Sequence, residues 1–263
     1  MKKNLRDTRV RSVEWRDLTQ LSKAEVLKEL LLSLPWLAVS LWAAQARLYF
    51  LALPASFMFF LVGLRQVHNA YHYALGLSRR GSDWVMFALS ALMLGSMHAV
   101  QLNHLEHHKH CLAEDDIEGA SARLPAWKAV LVGPLFPVRL HLNAWKKLRG
   151  AGSRWMAVEL GVTAGIIALA ISVPITALRY HVLAMAAGQC LTSFFAVWTV
   201  HHDCDQPGPF ARTLRGLLKN GATYNMFFHV EHHLFPAVPT CHLPKLAKRL
   251  DQTAPEFTQL RVF

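Results

Sequence analysis

Residues Asn225 to Pro236 read N-M-F-F-H-V-E-H-H-L-F-P and place histidines at 229, 232 and 233. The offsets i, i+3 and i+4 fall on one face of a helix within a single turn, so His229, His232 and His233 converge on one point. Neutral imidazole nitrogen is a good ligand for iron, copper, zinc or nickel, and three from one turn make half of a metal site. The same figure occurs earlier as His104, His107 and His108 in H-L-E-H-H, and a shorter one as His68 and His72 in H-N-A-Y-H. Two H-x-x-H-H boxes and one H-x-x-x-H box in 263 residues form a strong signal.

Composition bounds what such a site can serve. Hydrophobic residues make up 53% and charged residues 17%, against roughly 45–50% and 25% in ordinary soluble domains. The net charge of +11 suits nucleic acid or a membrane surface. Nucleic acid is the weaker reading, because the basic residues flank apolar runs and form no basic–aromatic strip. Cys111, Cys190, Cys204 and Cys241 are isolated, which argues against a zinc ribbon or a disulfide framework. The N-terminus is basic, but its apolar run starts late and lacks an A-x-A-like site, so no removable signal peptide is expected. No linker-like tract divides the chain, and residues 1–263 read as a single domain.

Residues 1–28 carry eight Lys or Arg and read as a basic, partly helical segment. Apolar runs at 30–46 and 48–64 form one hairpin turned at Arg47, and runs at 160–178 and 182–200 form a second turned at Arg179–His181. Each is about as long as the roughly 17–25 residues a spanning helix needs. Trp84–Ala99 is apolar but short. Were it to cross, the first two boxes would lie on opposite sides of the bilayer, so it reads as re-entrant or interfacial. Residues 123–155 are basic and broken by Pro125, Pro134 and Pro137, which suits amphipathic surface segments. All Lys and Arg except Arg47 and Arg179 fall on the side holding both termini and every box, which the positive-inside rule makes the cytoplasm. The expected architecture is an all-α, multi-pass integral membrane protein: four transmembrane helices in two hairpins, interfacial helices and a cytoplasmic histidine-rich cap.

Eight box histidines exceed what one tetrahedral zinc ion with an open position requires and suit two metals. Two irons are the natural choice for nitrogen-rich ligands in an apolar setting, although spacing alone does not select iron. Activating dioxygen takes a redox metal, and a site at the membrane points to a lipophilic substrate. The chemistry that needs both is oxidation of an unactivated C–H bond.

The three boxes, in this order around two hydrophobic hairpins, resemble the membrane fatty acid desaturase superfamily, which includes acyl desaturases, lipid hydroxylases and carotenoid ketolases and hydroxylases. The resemblance spans about residues 30–250. It implies a non-haem di-iron centre with dioxygen as co-substrate, four transmembrane helices and a cytoplasmic cap. The matching ligands are His68 and His72, then His104, His107 and His108, then His229, His232 and His233. The family often adds a ninth histidine between the last span and the third box. In this chain that is His201 or His202, of which His202 is favoured. The first box is one residue shorter than that of many acyl-CoA desaturases, which points away from acyl-CoA and leaves acyl lipids, acyl-carrier thioesters and carotenoids open. No fused haem or ferredoxin-like cysteine motif is present, so electrons come from a separate donor, a ferredoxin or cytochrome with its reductase.

The leading reading is thus an oxidoreductase that desaturates a fatty acyl chain. The alternative within the enzyme class is a lipid hydroxylase or carotenoid ketolase or hydroxylase. Outside it stands a membrane metal transporter or metal-binding protein, which would need ionisable ligands near the bilayer midplane rather than beyond the span ends. A catalytically dead scaffold is a third option, against which every box is intact.

Other polar residues take smaller roles. Glu106 and Glu231 read as acceptors behind the ligands or as cap salt-bridge partners. Asp203 and Asp205 could orient the ninth histidine, and Asn225 reads as a metal-water holder or a helix N-cap. His98 is expected to face the bundle, His110 the surface, and His141, His181 and His242 to be structural. Glu159 is expected at the membrane edge, and Gln189 in an interhelical hydrogen bond. Trp36, Trp42, Trp84, Trp155 and Trp198 lie near boundaries, as interfacial anchors do.

Overall fold

The computed structural model describes residues 7–204 and 210–259, so Asp205 and the first residues of the basic N-terminal segment lie outside the described residues. Helices account for the regular structure, and no strand occurs among the described residues. After a short α1 (Thr8–Arg11), α2 (Lys23–Leu31) and α3 (Leu34–Gln45) run on as one apolar rod. Ser22 starts it with a reciprocal capping box to Glu25. Pro35 falls in the first turn of α3, where an amide hydrogen would have no intrahelical partner. Arg47, at a positive φ of 61°, makes the turn into α4 (Tyr49–Tyr71). Ser56 of α4 bonds Ser40 of α3 at 2.7 Å and Tyr180 at 2.8 Å, a polar staple inside the apolar bundle.

The second hairpin pairs α9 (Gly150–Ser172) with α10 (Thr176–Thr192), and α10 continues through a π-helical turn (Ser193–Trp198) into α11 (Thr199–His201). Four helices are therefore long and apolar enough to cross a membrane: Lys23–Gln45, Tyr49–Tyr71, Gly150–Ser172 and Thr176–His201. The second turn falls earlier than the expected Arg179–His181. Val173 precedes Pro174, and a residue before proline is pushed out of the helical region; Val173 sits at ψ 142°. Arg179 lies in the first turn of α10 and folds back to donate to the terminal carbonyls of Ala170 and Ile171.

The short apolar segment forms α5 (Arg79–Met93), which meets α6 (Met97–His110) at a bend of 113°. Because α6 returns the second box to the end of α4 that carries the first, the pair is re-entrant. A bend at membrane depth must have its freed backbone groups satisfied by neighbours. Leu94 turns it at φ 58°. Gln189 and His181 of α10 donate to the carbonyls of Met93 and Leu92. On the far side of the bend, Glu159 of α9 accepts from Ser96 Oγ and the His98 amide and binds His98 Nδ1 at 2.6 Å. Glu159 is thus buried against the bend. Gln189 and His98 take the roles expected of them.

Helices α7 (Ala126–Leu131) and α8 (Leu135–Lys147) follow the second box. The turn between them presses so closely on α10 that a Cβ on Gly133 would lie 1.8 Å from the Cys190 carbonyl oxygen. The chain ends in α12 (Leu217–Ala222), α13 (His229–Leu234) and α14 (Leu243–Thr253). Val10, Val13 and Leu18 of the N-terminal segment pack into the same apolar cluster as Leu243, Leu246 and Leu250 of α14. Ion pairs from Arg249 to Asp17 and from His242 to Glu25 close the seam.

Candidate metal centre

Four helix ends meet at one place. α4 delivers His68 in its last turn and His72 at its cap, α6 delivers His104, His107 and His108, α11 ends on His201, and α13 carries His229, His232 and His233. These nine fall into two groups. His68, His72, His104, His108 and His232 form one; His107, His201, His229 and His233 form the other. Within each group, one nitrogen per residue lies within 4.8 Å of all the rest.

The nitrogens approach each other at hydrogen-bond distance. Nε2–Nε2 separations are 2.9 Å for His72–His104, 3.1 Å for His104–His108 and 3.0 Å for His108–His232. In the second group they are 3.1 Å for His107–His201, 2.9 Å for His201–His229 and 3.1 Å for His229–His233. The Nδ1 side decides what these contacts are. His107 Nδ1 faces the Asp116 carboxylate at 2.7 Å, His201 Nδ1 the Phe210 carbonyl at 2.8 Å, and His104 Nδ1 the Glu118 carboxylate at 2.8 Å. An acceptor there holds the proton on Nδ1 and leaves a lone pair on Nε2. His107 and His201 in their neutral forms then point two lone pairs at each other, which is repulsive unless a cation lies between. Two ligands at right angles on bonds of about 2.1 Å lie roughly 3.0 Å apart. The donor set therefore fits metal ions, one per group.

Electrostatics agree. Burial first, and neighbouring imidazoles second, hold His72, His108, His229, His232 and His233 well below the usual histidine range, so they stay neutral and available as ligands. On His107 burial is again the largest influence and opposes charge, but the hydrogen bond it donates to Asp116, together with Cys111 and the nearby Glu118 carboxylate, more than offsets burial and shifts this ring above that range. Burial pushes the Glu118 carboxyl up to about 7.

His202, the favoured ninth histidine, is not in either group. Its ring stacks on Trp198 at 4.1 Å and its Nδ1 donates to the Trp198 carbonyl. His201 takes the place. His201 is the last residue of α11, whereas His202 is its cap at ψ 146°, and neighbouring helical positions point about 100° apart. Asp203 lies near His202 and Arg212, not His201.

The acidic loop after the second box supplies what the sequence did not disclose. Asp116 is buried behind His107 and Glu118 is largely covered behind His104, whereas Glu114 and Asp115 of the same loop stay outside or pair with His110 at the surface. Spacing on the following loop carries no periodic signal, so burial alone distinguishes them. Glu106 pairs with the exposed Lys147, and Glu231 with Arg215 and Thr213, so both are salt-bridge partners rather than supports of the histidines. The N-cap of α13 is Phe228; Asn225 lies three residues earlier at φ 63°. A buried network backs the first box. Arg65, one turn before His68, pairs with Glu29 and donates to the Tyr224 carbonyl, and Asn69 binds Glu29 and Thr240.

An apolar cavity of about 70 Å³ opens directly onto the rings of His68, His104, His201 and His229, walled by Val67, Val100, Leu140, Val200 and Phe227. A second, of about 210 Å³, lies between α4 and α10 and shares Leu64 and Phe195 with the first. The two cavities are neighbours, one at the histidines and one within the spanning bundle. Besides the histidines, the polar groups on their walls are Glu118, Tyr71, Thr192 and Ser56, and Glu118 Oε2 has no hydrogen-bond partner among the described residues.

Fold and site define a multi-spanning membrane protein with two adjoining histidine clusters able to hold metal beside an apolar cavity. The chain belongs to the fatty acid desaturase family, whose model matches residues 40–262. The family implies oxidoreductase activity and a lipid substrate, and it is typically dependent on non-haem iron. No curated protein and no solved structure gives a significant match.

Proposed function

We propose that His68, His72, His104, His108 and His232 hold one iron, that His107, His201, His229 and His233 hold a second, and that the protein uses dioxygen to desaturate a fatty acyl chain. The carrying observation is the pair of imidazole lone pairs on His107 and His201 facing one another across 3.1 Å, within two groups of converging histidine nitrogens that adjoin an apolar cavity. Two bound irons would supply the redox chemistry that activates dioxygen against an unactivated C–H bond. The chain does the rest. Asp116, Glu118 and the Phe210 carbonyl hold the Nδ1 protons and so aim the Nε2 lone pairs. Leu64 and Phe195, common to both cavities, would grip the chain where it passes from bundle to site and exclude water from the reacting carbons.

The small apolar cavities favour an unbranched acyl chain; a hydroxylase, or a ketolase acting on a carotenoid, is the second reading. Electrons would come from a separate ferredoxin or cytochrome. The positive-inside balance supports a cytoplasmic placement of the site and both termini, in one domain. Lipid profiling of cells expressing the wild type or His232→Ala tests the proposal. A new double bond that depends on His232 supports desaturation, a new hydroxyl or keto group moves the protein to the second reading, and an iron-free purified protein overturns both.

A further inference from the structure

Between Glu118 and Glu159 the chain carries seven Lys or Arg and no acidic residue. Helices α7 and α8 lie in this stretch and turn an apolar stripe outward: Trp127, Leu131, Leu135, Val138, Leu142 and Trp145 are each more than half exposed. Spacings of three and four keep them on one side of each helix. A basic helix pair with such a stripe lies in the plane of a membrane interface.

Beside the stripe an open apolar groove of about 400 Å³ separates α8 from α9. Val138, Leu142 and Trp145 form one wall, Met156 and Leu160 the other, and the Leu94–Gly95 bend the floor. Its one polar side chain, His141, is already engaged at both nitrogens, by the Ser96 amide and the Pro137 carbonyl. The groove therefore suits hydrocarbon. Trp145 and Met156 lie next to the α8–α9 turn, around which Lys146 of the last turn of α8, Arg149 of the turn itself and Arg154 of the start of α9 are all exposed. Lys147 is taken by Glu106. Lys146, Arg149 and Arg154 have no acidic partner among the described residues.

We infer that this groove binds an anionic glycerophospholipid of the surrounding bilayer, with one acyl tail along α8 and α9 and the phosphate at Lys146, Arg149 and Arg154. The apolar trough fixes the tail, and the three uncompensated cations select the headgroup. A tail seated there packs on the bend that leads into α6, and so braces the helix carrying His104, His107 and His108. The inference is independent of which metal the histidines hold.

Native mass spectrometry of the full chain in detergent, titrated with phosphatidylglycerol or phosphatidylcholine of matched tails, tests it. Phosphatidylglycerol is expected to bind more tightly. A cation beside an anionic headgroup accounts for roughly fivefold in binding. Lys146→Gln/Arg149→Gln/Arg154→Gln should therefore weaken phosphatidylglycerol about 100-fold and leave phosphatidylcholine unchanged. Lys23→Gln/Lys245→Gln/Lys248→Gln, which removes the same charge elsewhere, should not. Val138→Trp, which fills the groove without altering charge, should weaken both lipids. Equal binding of the two lipids by the wild type overturns the site, as does a triple variant that binds like the wild type. Displacement of the lipid by glycerol 1-phosphate would overturn the role of the tail and leave only an anion patch.

Discussion

At the scale of single residues, Asp116 and Glu118 decide what their histidines can do. Each carboxylate keeps a proton on Nδ1 and turns Nε2 into a lone pair. Asp116→Ala should weaken iron affinity about 10–100-fold, measured by competition with a chelator, while the helical content of the protein stays unchanged. Unaltered affinity would show that His107 is oriented by packing alone. The eight box histidines were legible because i, i+3 and i+4 spacing maps directly onto one helix face. The carboxylates were not, because four acidic residues in a loop look alike until folding covers two of them. The choice between His201 and His202 was illegible for another reason. Neighbouring residues on a helix point about 100° apart, and nothing in the sequence marks His201 as the last helical residue and His202 as its cap.

At the scale of elements, the bend between α5 and α6 is the part most dependent on borrowed hydrogen bonds. Glu159 receives Ser96 Oγ, the His98 amide and His98 Nδ1, all buried. Glu159→Leu strips these donors of their acceptor at about 1–3 kcal/mol for each one left unpaired. A lower thermal midpoint in detergent is expected, together with reduced iron content; a variant with wild-type values for both would remove the bend from the account. The four spans were readable from apolar length, but their ends were not. Charged residues such as Arg154 and Glu159 sit inside α9, and the Val173–Pro174 pair, rather than Arg179, stops it.

At the scale of the whole molecule, three boxes spread over residues 68–233 come together because two hairpins and one re-entrant pair end at the same level. The need for a common site argued from sequence alone that Trp84–Ala99 does not cross, and the 113° bend is how the chain meets it. What no single sequence could show is the division of nine histidines into five and four, since that depends on which helix ends face each other. That division is the centre of the account. It is tested most directly by iron analysis of the purified wild type, His201→Ala and His202→Ala. About two irons per chain are predicted for the wild type and His202→Ala, with a marked loss in His201→Ala, whose cluster drops to three ligands. Iron retained in His201→Ala and lost in His202→Ala would contradict it.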